Sequence, residues 1–187
     1  STRTTHPKFI SLLKVLLGKV KLKNDISNPY EFMTKGEMMM KCKNKNLLNS
    51  IVEFSNSCGK RGHVVNRTFI NSSHCGVCMP CTYRKASVLS IKDKTLYGDD
   101  INKPFTGRDK KTPFLSSGQG EDLNAMLNFL GKTFSREQIK KELVIGGIEN
   151  DDRLSKYIDL IINTRNELKQ LIDKTCTIPE RRKKAGL

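Results

Sequence analysis

Tryptophan is absent, and aromatic residues make up 6% of the 187-residue chain, too few for a convincing base-stacking platform. Long apolar runs are missing as well. The most apolar opening stretch, Phe9 to Val20, is broken by Lys14 and Lys19 and is too short to span a bilayer, so no membrane segment is expected. No secretory signal is visible, and the expected setting is the reducing cytoplasm. The chain opens Ser1-Thr2-Arg3, as expected of a processed protein or a piece of a longer one. Acidic side chains are scarce too. Nineteen Asp and Glu stand against 34 Lys and Arg, a net charge of +15, and residues 1–50 hold ten basic against three acidic residues. That balance suits contact with the phosphates of a nucleic acid or a nucleotide, and equally a solvated Lys-rich surface.

Six cysteines are present, and four of them crowd into residues 58–81. They read Cys58, then Cys75-Gly76-Val77-Cys78-Met79-Pro80-Cys81. Two-residue spacings favour thiolates converging on a metal over disulfide pairing. A C-x2-C turn lets two thiolates meet one ion, and Gly76 and Pro80 suit such turns. Cys58, Cys75, Cys78 and Cys81 therefore predict one tetrahedral zinc site with metal–sulfur bonds of about 2.3 Å. Four thiolates leave no open position for a bound water, so the ion would be structural. An iron–sulfur cluster is the competing reading, although no cysteine follows Cys81 until Cys176. His63 or His74 could replace one thiolate, while Cys42 and Cys176 read as inert thiols.

Along the chain, helical spacing of Phe9, Leu12, Leu13, Leu16 and Val20 predicts a helix from about Pro7 to Val20. Thr34-Lys35-Gly36-Glu37 reads as a capping box opening a short helix with Met38, Met39 and Met40. Ile51-Val52-Glu53-Phe54 reads as a buried strand leading to Cys58. Val64-Val65 and Thr68-Phe69-Ile70 read as hairpin strands, and a helix carrying Tyr83, Arg84 and Val88 follows Cys81. Residues 93–120, rich in Gly, Pro, Lys and Asp, read as an irregular connection. Three helical patterns follow: Leu123 to Leu130, a second behind the capping box at Ser135, and a longer one capped by Asp151 or Asp152. Their apolar stripes exceed what one short bundle satisfies, so a surface including Tyr157, Ile161 and Leu168 is expected to dock a partner or second copy. Arg181-Arg182-Lys183-Lys184 reads as a disordered basic tail.

The string Cys75-Gly-x-Cys78-x-x-Cys81-x-x-Arg84, with a cysteine upstream, resembles the C-terminal zinc motif of the QueC-like (7-cyano-7-deazaguanine synthase-like) family. Pro29, the Thr34-Lys35-Gly36-Glu37 segment and an early Thr-Arg pair before an amphipathic helix extend the likeness over about residues 1–90. Within the family the chain is most similar to the branch found in Qat anti-phage systems. The resemblance implies a PP-loop parent whose Rossmann-like α/β half binds ATP. Such enzymes activate the carboxylate of 7-carboxy-7-deazaguanine as an adenylate, and ammonia then leads through an amide to a nitrile. Defence-associated relatives would instead transfer the activated deazaguanine to an amine on a protein. Lys35 and Arg84 match motif positions and are the candidate site-lining residues; no catalytic residue is assigned to this chain.

Three departures qualify the likeness. The first cysteine gap is long, implying an inserted hairpin, and a helical extension of about a hundred residues follows the motif. The Ser-Gly-Gly-x-Asp-Ser loop that would hold the ATP pyrophosphate is missing. Ser116-Ser117-Gly118-Gln119-Gly120-Glu121-Asp122 has the wrong spacing and reads as a helix N-terminus. The chain alone is therefore not expected to be an ATP-dependent enzyme. The implied partners are the missing PP-loop half, a deazaguanine substrate, and a defence-operon protein or a second copy. The expected fold is an α/β parent of which this chain is the mostly α-helical (α+β) part. Its segments are 1–92 (zinc-binding), 93–120 (irregular linker), 121–176 (helical extension) and 177–187 (tail). The alternative is a basic, zinc-containing nucleic-acid-binding or protein-interaction module.

Overall fold

A computed structural model of the chain describes residues 6–60, 72–91, 93–106, 111–149 and 151–187. These residues are mostly helical, with one two-stranded antiparallel ribbon, β1 (Phe105–Thr106) and β2 (Thr112–Pro113). No parallel sheet of a PP-loop domain occurs among them. The chain divides into two compact units, residues 1–33 with 134–162, and residues 34–133 with 163–187.

In the first unit, α1 (Pro7–Lys19) starts where expected. Proline occupies the first turn and the His6 ring accepts from the Lys8 amide. The helix ends as Lys21 turns left-handed (φ 60°) and the Lys21 and Leu22 amides return to Gly18 and Leu17 carbonyls. α6 (Arg136–Ile145) opens with the anticipated capping box, Ser135 and Gln138 exchanging side-chain-to-amide bonds. Its core gathers Ile139, Ile148, Leu154, Tyr157 and Ile158, with Phe32 and Leu143 against them. The Tyr157 ring lies 5.0 Å from Phe32, and its hydroxyl donates to Glu31.

The second unit holds α2 (Lys35–Lys41), α3 (Lys45–Ile51), α4 (Met79–Ser87), α5 (Glu121–Gly131) and α8 (Pro179–Lys184). It also holds the later part of α7 (Leu154–Thr175). The Thr34–Glu37 capping box forms as read from the sequence. The Glu167 carboxylate packs against Gly36 and accepts from the Gly36 amide and the Thr34 hydroxyl, so a side chain at position 36 would displace that carboxylate. Phe114, Leu123, Met126, Leu127, Leu130, Leu168 and Ile172 are fully or almost fully buried and form the centre of one apolar core.

Several expectations are corrected. Ile51–Phe54 is not a strand: the α3 ladder continues as the Val52 amide reaches Leu48, and a single 3-10 turn covers Val52–Phe54. Val52 alone of the four is buried, whereas Phe54 is 80% exposed, so the run lacks the two apolar neighbours a buried strand needs. The basic tail is folded. Pro179 starts α8, buried Arg181 donates to the Ile101 and Lys103 carbonyls, and Ala185 joins the core. The described residues of the stretch 93–120 are largely irregular apart from β1, β2 and a 3-10 turn, yet they are anchored by buried Asp99, Ile101 and Phe114. Tyr157 and Leu168, expected on a docking surface, are 5% and 0% exposed and belong to the cores. The expected hairpin strands at 64–65 and 68–70, and His63, lie outside the described residues.

Candidate metal centre

Cys58, Cys75, Cys78 and Cys81 converge, with all four sulfurs within 4.8 Å of one another. A tetrahedron with metal–sulfur bonds of about 2.3 Å sets its sulfurs about 3.8 Å apart, and Cys75 and Cys81 are 3.9 Å apart. The donor set fits one tetrahedral ion.

Local chemistry explains the convergence. Gly76 sits at φ +86°, and a Cβ there would lie 1.9 Å from the Asp99 carbonyl oxygen, so the turn between Cys75 and Cys78 requires glycine. The Cys78 amide donates to the Cys75 sulfur at 3.3 Å, and the Cys75 amide to the Cys58 sulfur at 3.2 Å. Cys78 is the N-cap residue of α4 and Cys81 lies in its first turn beside Pro80, where the Cys81 amide donates to the Cys78 sulfur and the helix dipole favours thiolates. The three-cysteine arm is fixed from behind, since Gly98 and Asp99 amides donate to the His74 and Cys75 carbonyls. In front, the Met79 amide donates to Asp122, which also pairs with Lys60 at 3.5 Å.

Electrostatics point the same way. Hydrogen bonds from the Cys75 and Cys81 thiols favour the anion at Cys78, holding it far below the thiol range. The bond to that anion, with burial, pushes Cys75 up to about 11, and Cys81 moves up through its hydrogen bonds with Cys75 and then Cys78, with burial adding to them. The buried cluster thus accommodates one negative charge readily and resists the next. A bound divalent cation reverses that by deprotonating the coordinating thiols outright.

His74 is not a ligand in this arrangement. The fully buried ring accepts from the Ser57 amide through Nε2 (3.3 Å), and Nδ1 lies 2.7 Å from the Ser73 hydroxyl. These bonds describe a neutral imidazole that ties the segment before Cys58 to the Cys75 arm. Cys42 and Cys176 lie outside the four-sulfur group, half-buried and buried respectively.

Comparison with protein-family models, curated proteins and solved structures finds no match. The chemistry of the site must be read from its own residues.

The two candidate site-lining residues fare differently. Lys35 is exposed at the start of α2. Arg84 is 6% exposed and spends its guanidinium on the Val52 and Ser55 carbonyls (2.6 and 3.3 Å), the Ser55 and Thr95 hydroxyls (2.6 and 3.0 Å) and the Tyr97 hydroxyl (3.2 Å). Asp93 lies 3.7 Å away. Burial opposes ionisation of Asp93, but hydrogen bonds from Thr95 and Tyr97 and the Arg84 charge outweigh it and hold the carboxyl below its usual range. Arg84 thereby joins the approach to Cys58 to the segment that backs Cys75. The sequence reading missed Asp93, Tyr97 and Asp99; the one local signal was Asp93-x-Thr95, an Asx turn closed by the Thr95 amide at 3.0 Å.

Proposed function

We propose that the four thiolates hold a structural zinc ion, and that the chain is the zinc-stabilised C-terminal part of a QueC-like, ATP-dependent deazaguanine-activating enzyme of an anti-phage system. The observation that carries the metal assignment is the convergence of four cysteine sulfurs within 4.8 Å. Zinc suits a closed tetrathiolate sphere, which has no place for a reacting water. The ion's role is then to tie the turn at residues 58–60 to the one at 75–78, whose Cys75, Val77 and Cys78 are part of the apolar core.

The assignment to the enzyme rests on Cys75-Gly76-x-Cys78-x-x-Cys81-x-x-Arg84 and the capped Thr34–Glu37 segment ahead of it. In that reading ATP and the deazaguanine carboxylate meet on the PP-loop half, and this chain supplies a rigid, metal-tied wall. Elemental analysis tests the first part, with one zinc per chain expected; iron in its place would return the cluster reading. For the second, the chain is combined with a PP-loop segment carrying Ser-Gly-Gly-x-Asp-Ser and assayed for AMP release dependent on 7-carboxy-7-deazaguanine. Each part alone should be inert and the pair active. Inactivity of a stably associated, zinc-loaded pair would sink the enzyme assignment and leave the metal centre standing.

A further inference from the structure

We infer that a cavity beside Lys85, within the second unit, is a binding site for a small apolar or aromatic monocarboxylate. The cavity has a volume of about 470 Å³, inside the range of small-molecule sites. Val88, Leu89, Ile101, Leu123 and Leu171 give it apolar walls.

Most polar groups on its surface are already engaged. The Thr82 hydroxyl donates to Met79 and that of Thr175 to Leu171, while the Asn102 amide is spent on the Thr175 carbonyl and on Thr177. Asp93 is held in the Arg84 network. Lys85 differs. Its ammonium makes a single long contact, 3.4 Å to the Asp99 carbonyl, and otherwise faces the Tyr97 ring at 4.4 Å. Among the described residues, then, the ammonium's three donors meet one weak acceptor and an aromatic face, while Asp100 is the leading negative charge that favours it. Burial outweighs the surrounding negative groups and holds this ammonium below the ordinary lysine range, so much of its desolvation cost is already met before a ligand arrives.

The ligand's charge follows from the rim. Asp93 is compensated by Arg84, and Asp100 already faces the Lys85 charge, so a ligand is held by hydrogen bonds to the ammonium and one with two negative charges is repelled more strongly than one with a single charge. A carboxylate fits and a phosphate dianion does not. The apolar walls and the Tyr97 ring select a hydrophobic, flat body over a sugar or polyol. The proposal is independent of the enzyme assignment.

The test uses naphthoate as probe, titrated into the full zinc-loaded chain by calorimetry, with its neutral carbinol and inorganic phosphate in parallel. Naphthoate should bind saturably, about one per chain. Lys85→Met, which keeps the apolar stem, should weaken it about ten-fold or more, the share of a charge-assisted hydrogen bond. Lys85→Arg should retain most of the affinity, and the carbinol should bind wild type and Lys85→Met alike. Should Lys85→Met fail to fold, Leu89→Trp narrows the cavity from a half-buried wall and should exclude naphthoate. Undiminished binding to the substituted chain, no saturable binding at millimolar naphthoate, or displacement of naphthoate by phosphate would each overturn the proposal.

Discussion

Arg84→Met removes the guanidinium that links the approach to Cys58 with the 93–97 segment, and its cost can be worked from the contacts. The Val52 carbonyl would lose its 2.6 Å bond to Arg84 but keep those from the Ser55 hydroxyl (2.7 Å) and amide (3.2 Å). No acceptor is orphaned there, so this part of the cost is that of one charge-assisted hydrogen bond, about 1.5–3 kcal/mol. Ser55 is exposed, so its carbonyl and hydroxyl recover most of their bonding from solvent and add little. Asp93, with its side chain 9% exposed, would keep Thr95 and Tyr97 but lose its cation. Breaking a buried ion pair from one side costs about 3–5 kcal/mol, and these contributions overlap. The expected loss is therefore about 3–5 kcal/mol, read by urea unfolding of the zinc-loaded chain. Chelator-driven zinc release should accelerate in parallel, because the Cys58 and Cys75 arms lose their common tie. Arg84→Lys keeps a charge near Asp93 but lacks the planar fork that reaches Val52, Ser55 and Thr95 together, so it should fall between. A loss under about 1 kcal/mol with unchanged zinc release would refute this account. It would return Arg84 to the expected role of lining a cleft without holding it.

Removing zinc by chelation, or by Cys78→Ser, should abolish protection of residues 58–60 and 75–81 in hydrogen exchange, since structural zinc contributes about 10–16 kcal/mol of apparent binding free energy that is also folding free energy. Gly76→Ala should be costly, with zinc retention falling sharply, because its Cβ would meet the Asp99 carbonyl at 1.9 Å. Gly18→Ala, on an open helical position with nothing within 4 Å, should instead raise stability by about 0.5–1 kcal/mol. Leu168→Ala should cost about 2–5 kcal/mol in thermal or urea unfolding, as a core cavity does. The Asp93 carboxyl titrates lower in the folded chain than in the unfolded one, so its contribution is present above about pH 4 and is lost as pH falls through the depressed folded value. The stability gap between wild type and Asp93→Asn, measured by urea unfolding across a pH series, should accordingly narrow only below about pH 4.

Legibility in the sequence followed the range of the interaction. Caps are decided within four residues, and Thr34–Glu37 and Ser135–Gln138 were readable because donor and acceptor are neighbours in the chain. The Cys75–Cys81 arm was readable for the same reason. The approach to Cys58 was not. Ile51-Val52-Glu53-Phe54 has β-branched and aromatic residues at strand density, but a short apolar run cannot by itself be told from a helix end. Here Asn44 caps α3 through the Leu47 amide, and the ladder runs through to Val52. The tail misled because four consecutive cations look solvated. Two of them are anchored by acceptors distant in sequence: Arg181 by carbonyls at 101 and 103, and Lys184 by Asn124. No local pattern encodes a partner 60 or 80 residues away.

The same bookkeeping bears on the net charge. Taken from the sequence, +15 invites a phosphate-bearing partner. Yet Arg84, Arg165, Arg181 and Arg182 all direct their guanidinium groups at backbone carbonyls of this chain, where they close helix ends and turns. Lys45 does likewise at the end of α2, and Lys103 is spent on Asp99. These side chains are structural cations, held by geometry that a nucleic acid would have to break before gaining a contact. Other lysines, such as Lys8 and Lys19 on α1, are exposed on a helix that has no buried residue. Lysines on one solvated helix give an electrostatic steering field rather than a reading surface. The first unit holds 11 Lys and Arg against 8 Asp and Glu, so most of the basic excess belongs to the second unit, where much of it is already bound to the chain's own acceptors. Half-buried Lys85, with one long hydrogen bond, differs from those bound cations in keeping donors for a ligand, which is what the naphthoate titration tests.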